Sequence, residues 1–128
     1  MDKQARIFMA ALCCAGVTLA SGAQAQPKYP TKPIRIIVPF APGGATDVVL
    51  RLLAPRLSEN LGQQVVVDNR GGGAATIGMD MTAKAAPDGY TLGVATLTFS
   101  INPNLFSKLP YNSEKDLAPV SLIAIVPL

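Results

Sequence analysis

Histidine is absent from this 128-residue chain, and with it the commonest general base and the commonest metal ligand. Cysteine is almost absent. Cys13 and Cys14 are the only two, and both lie in an apolar run near the start, so the rest of the chain has no disulfide framework and no thiol nucleophile. The acids Asp47, Glu59, Asp68, Asp80, Asp88, Glu114 and Asp116 are scattered, with no close spacing of the kind that holds a metal. No metal, cofactor or catalytic constellation is therefore expected. The net charge of +3 is small. A nucleic-acid footprint would need clustered Lys and Arg, and none is found.

The first residues fall into three zones. Lys3 and Arg6 form a positive start, Ile7 to Ala20 is uncharged and mostly apolar, and Ala23-Gln24-Ala25 is an A-x-A cleavage pattern. This is the layout of a signal peptide over residues 1–25. The apolar run falls short of the roughly 20 residues a membrane span needs. A lipoprotein would place a cysteine after a small residue at the cut; Cys13 follows Leu12 instead, which argues against lipidation. The expected mature chain leaves the cytoplasm, is not membrane-embedded after cleavage, and at about 100 residues suffices for one small domain. The closing run Val120 to Leu128 is strongly apolar and then stops, which suggests a continuation beyond it.

Residues 26–33 are Pro-rich and read as an extended lead-in. Ile34 to Val38 is a β-branched run, hence a buried strand. A helix is expected from about Thr46 to Leu61, with Val48, Leu52, Leu57 and Leu61 on its inner face, Pro55 inside it and Gly62 as its stop. Val65 to Val67 reads as a second strand. Ile77, Met81 and Ala85 mark a second helix, and Tyr90 to Ala95 a third strand. Thr96 to Ser100 is expected to be a polar loop, with Asn102-Pro103 opening a short helix as N-cap and first position. Ser113 with Asp116 resembles a cap before one more turn. Val120 to Val126 is expected as a fourth strand. Alternation of buried strands with helices argues an α/β fold with a mostly parallel sheet.

Two Gly-rich loops follow strands. Ligands of open α/β sheets bind beyond the carboxyl ends of the strands, and a helix start offers unpaired N–H groups and partial positive charge. Gly43 and Gly44 would let backbone amides approach a carboxylate without a Cβ in the way. Gly73 to Gly78 is not a phosphate loop, because Met79 and Asp80 stand where Lys and Ser or Thr belong. A dinucleotide fingerprint begun at Gly71 fails at Thr76. Asp47 has two readings, a cap at the helix start or an acceptor at the edge of a pocket. Thr96, Thr98 and Ser100 are hydroxyl donors at a strand end.

The run Tyr29-Pro30, Lys32 to Ile34, Ile36 to Phe40, Pro42 to Gly44 and Asp47 resembles the start of mature tripartite tricarboxylate transporter substrate-binding proteins, the Bug family. Matching segments continue in order: Leu61-Gly62-Gln63, Val65 to Val67, Asn69-Arg70, Ala85 to Leu92, Ile101 to Pro103, Leu109 to Tyr111 and Asp116 to Ser121. The resemblance implies a type II periplasmic-binding-protein lobe, with residues 34–128 as the N-terminal lobe of a two-lobed solute-binding protein, the second lobe absent. It implies a small carboxylate ligand and membrane permease subunits as partners in the periplasm. It also implies two gripping loops. The first supplies Phe40, Ala41, Gly43, Gly44, Ala45 and Asp47; the second supplies Thr96, Thr98 and Asn102. Leu97 and Phe99 depart from the family's usual pattern. A ligand-sensing role at a membrane receptor and a secreted hydrolase are the rival readings.

Overall fold

The computed structural model describes residues 28–125; the expected signal peptide with Cys13 and Cys14, the cut beside Ala25, and Val126 to Leu128 lie outside them. Strand β1 runs Ile34–Val38, helix α1 Ala45–Leu61 and strand β2 Val65–Asn69. A short 3-10 turn, Gly73–Ala75, leads into helix α2, Thr76–Ala83; strand β3, Thr91–Gly93, and helix α3, Leu97–Leu105, follow. The sheet has the order β2-β1-β3. Both ladders are parallel, with Ile34 opposite Val65 and Ile36 opposite Leu92. The expected α/β architecture with a parallel sheet is what forms. Among the described residues no helix is long and apolar enough to cross a membrane.

Alternation along β1 splits the core in two. Ile34, Ile36 and Val38 pack with Leu50 and Ala54 of α1 and Val65 of β2. Ile37 points to the opposite face, the side on which α2 lies across β1 and β3. That helix comes close because Gly78 has no side chain. A Cβ there would sit 2.8 Å from the Arg70 carbonyl and from Pro39 Cβ.

Several expectations are corrected. The buried apolar positions of α1 are Leu50 and Ala54, not Val48, Leu52, Leu57 and Leu61, all of which are exposed, Leu52 to 70%. Val48, Val49, Leu50, Leu52 and Leu53 spread over several sides of the first half of α1, so periodicity alone does not select the stripe that meets the sheet. Helix α2 buries Gly78, Met79 and Thr82 rather than Ile77, which is exposed. Small residues at a close crossing leave no apolar rhythm to read. Strand β2 runs on to Asn69, beyond the expected Val67, and β3 is only Thr91–Gly93. Helix α3 starts at Leu97, so the expected loop Thr96 to Ser100 is mostly helix and Asn102-Pro103 lies inside it. The turn near Ser113 is closed by Asn112 instead, whose Oδ1 accepts from the Glu114 and Lys115 N–H groups. Val120 to Ile125 joins no ladder, and β3 stays an edge among the described residues.

Candidate functional site

The carboxyl ends of all three strands open at one edge of the sheet. Strand order reverses around β1, and the loops leaving β1 and β3 part there, the usual place for a ligand crevice. A depression of about 380 Å³ occupies that position, lined by Phe40, Gly44, Ala45, Thr46, Thr96, Leu97 and Thr98. Of the residues expected from sequence, Phe40, Gly44, Ala45, Thr96 and Thr98 meet on its wall. Thr46 and Leu97 fall within the two expected segments, Phe40 to Asp47 and Thr96 to Asn102, but were not singled out as ligand-binding. Thr46 could have been found from its place in the first turn after Gly44; Leu97 only by knowing that α3 begins with it. A depression of about 440 Å³ also lies between α1 and the open edge of β2, lined by Arg51, Ser58 and Val65 among others. It stands away from the loops at the strand ends, and one of its backbone donors, the Val65 N–H, is already taken by Ser58 Oγ at 2.9 Å.

Two helices begin at the crevice. Gly44 is the N-cap of α1 and Thr96 the N-cap of α3; neither supplies a side-chain capping bond. Apart from the Phe99 N–H, which donates to the Thr96 carbonyl at 2.9 Å, the first-turn N–H groups of each helix lack intrahelical acceptors and carry partial positive charge. Thr96 Oγ1 and Thr98 Oγ1 lie 3.1 Å apart and share a hydrogen bond. An anion seated here would meet backbone donors and hydroxyls, with Phe40 and Leu97 as apolar walls.

Ala41, Gly43, Asp47 and Asn102 do not line the depression; the last three act from behind it. Asp47 is 3% exposed. Its Oδ2 accepts from the Gly43 N–H and from Arg51 Nε, each at 2.9 Å, and its Oδ1 accepts from Asn69 Nδ2 at 2.9 Å. Arg51, the Gly43 N–H and Asn69 together lower its pKa from 3.8 to about 2 against the opposing effect of burial. Asn69 and Arg51 had no site role in the sequence reading, because 18 residues of sequence separate two groups that touch at 2.9 Å.

Asn102 is 1% exposed and donates from Nδ2 to the Ala74 carbonyl at 2.8 Å. That carbonyl belongs to a run of positive φ values: Gly72 at 126°, Gly73 at 55°, Ala74 at 53° and Ala75 at 74°. The two alanines are strained by about 1 kcal/mol or more each. Asn102 ties this turn to α3, so its job is a brace rather than the expected helix cap. Gly71 packs the same loop on the first one, where a Cβ would come within 3.3 Å of the Phe40 and Ala41 backbone.

Comparison with known proteins gives a consistent picture. The model of the tripartite tricarboxylate transporter family receptor, TctC, matches residues 49–128. Protein BugT of Bordetella pertussis is 45% identical over 123 residues, which span 91% of this chain and 38% of BugT. MatC from Rhodopseudomonas palustris, solved with malate bound, superposes with a TM-score of 0.70 at 41% identity, covering 74% of this chain and 33% of MatC. An R. palustris protein solved with adipate gives 0.64 at 38% identity, over 67% of this chain and 29% of its own. The chain thus spans about a third of the length of the relatives it matches.

Proposed function

This chain belongs to the tripartite tricarboxylate transporter receptor family, and on that premise we propose that it captures a small carboxylate for delivery to membrane permease subunits. The observation that carries this reading is the meeting of two uncapped helix starts, those of α1 and α3, at one crevice. A carboxylate there would accept from the backbone amides of the loop Phe40 to Ala45 that are left free, Ala41 included, and from the Thr96 and Thr98 hydroxyls, with Gly43, whose N–H is held by Asp47, and Asp47 and Asn102 themselves supporting from behind. Such a site binds and releases without making or breaking a bond. The malate and adipate held by two structural neighbours support this ligand class.

Residues 34–128 act in this reading as the N-terminal lobe of a two-lobed receptor, with 26–33 as lead-in and 1–25 as a cleaved export signal. The receptor works in the periplasm, and the second lobe completes the grip. Calorimetry of the full-length protein against di- and tricarboxylates, aromatic acids and acidic amino acids tests the proposal. Heat from at least one class that competes with the others at a single site is the expected result. Silence across the whole panel would overturn it.

A further inference from the structure

The first loop poses an electrostatic problem. Asp47 stands in the first turn of α1, directly behind amides that are proposed to receive an anion. A bare carboxylate there would repel the ligand and offset the partial charge of the helix start. The structure answers with Arg51 one turn along and Asn69 at the end of β2. Arg51 reaches both, with Nε on Asp47 Oδ2 and Nη2 on Asn69 Oδ1, each at 2.9 Å. Asn69 Nδ2 in turn donates to Asp47 Oδ1 at 2.9 Å and to the Phe40 carbonyl at 3.3 Å. Each Asp47 oxygen thus has a donor, and the network grips the loop at both ends: Gly43 by its N–H and Phe40 by its carbonyl.

Gly43 explains why a clamp is needed. Its φ is +83°, and a Cβ there would meet nothing within 4 Å. Phe40 and Ala41 are packed by the Gly71 backbone, but nothing packs at Gly43, so its geometry depends on the hydrogen bond from its amide to Asp47.

We propose that Asp47, Arg51 and Asn69 form a positioning unit that fixes the Phe40–Gly44 loop in its receiving geometry and neutralises the charge behind it. None of the three needs to touch the ligand. The inference rests on the carboxylate reading of the same crevice, but its first test does not depend on that reading.

Backbone order parameters measured by NMR on the full-length protein without ligand provide this test. Rigid backbone gives about 0.85 and flexible backbone below about 0.6. In Asp47→Asn, Gly43 and Gly44 are expected to fall from the rigid to the flexible range while Ile36 and Ile37 stay rigid. Unchanged values at Gly43 and Gly44, or an equal fall throughout the sheet, would overturn the proposal. Arg51 is 54% exposed, so Arg51→Gln keeps the test open if Asp47→Asn does not fold. It is expected to loosen the same two residues, and Arg51→Lys to restore them in part.

The second test titrates malate. Arg51→Gln leaves Asp47 unpaired behind the site, so affinity should fall about tenfold, the scale of one charged hydrogen bond. That loss should shrink as added salt screens the charge. A loss independent of salt, in a protein whose wild type binds malate, would refute the neutralising role. Failure of the wild type to bind any carboxylate, with the loop loosened as described, would instead defeat the functional reading and leave the positioning unit standing.

Discussion

Asp47 is ionised at a place where burial alone favours the neutral acid. Arg51, the Gly43 N–H and Asn69 reverse that preference and hold its pKa at about 2. A carboxyl whose folded pKa is depressed adds stability above its unfolded value, here 3.8, and that contribution is lost as pH falls through about 2. The wild type should therefore lose stability between about pH 4 and pH 2, and Asp47→Asn should show a shallower loss over the same range. Urea or thermal unfolding across that range checks it; equal slopes would contradict it. Some slope should persist in the variant. At Asp68 burial opposes ionisation, but Arg35 and Arg70 together outweigh it and lower the pKa. At Asp88 the Tyr90 N–H and then Lys32 do the same. Residue types at these positions are plain in the sequence, but their partners are not. Arg35 meets Asp68, with Nε on Oδ2 at 2.6 Å, only because β1 and β2 pair in the register that sets Ile37 opposite Asp68.

Helix α2 meets the sheet through its smallest residue. Gly78 brings the helix backbone against Pro39 and Arg70, the first residues of the loops after β1 and β2. Both contacts would be with groups that have little room to move. Gly78→Ala is thus expected to destabilise the fold by about 1–3 kcal/mol, the scale of overpacking, seen as a lowered urea midpoint. An unchanged midpoint would mean that the helix rides outward freely. Elements were legible to different degrees. The strand Ile34–Val38 and the C-terminal end of α1 at Gly62 fall where β-branching and glycine put them. The start of α3 lies six residues before the expected one, because Asn102 and Pro103 look like an N-terminus but serve inside a helix. Asn102 spends its amide on Ala74, a partner 28 residues away.

At the scale of the whole molecule, the described residues leave much apolar surface uncovered. Leu52, Leu97, Ile101, Leu105, Val120, Leu122 and Ile125 are all exposed, and among the described residues β2 and β3 are both open edges. Surface of this kind favours association. Under the two-lobe proposal only half of the cleft is built by residues 26–128, and closure cannot exclude water from it. That segment alone should self-associate with rising concentration by light scattering and bind carboxylates too weakly for calorimetry. Micromolar affinity measured on it would contradict the need for a second lobe.

Composition and order of residues were enough to determine the α/β class, the parallel sheet, the two loops at the strand ends and the family. These depend on local features: runs of β-branched residues, glycines after strands, and an ordered series of short motifs. Tertiary structure alone decided which face of α1 turns inward, that Gly78 is a contact, and that Asp47 works with Arg51 and Asn69 rather than reaching into the crevice. The physical reason is one of range. Periodicity reports how a segment folds on itself, whereas a hydrogen-bonded network is set by the register and crossing of elements that are distant in the chain.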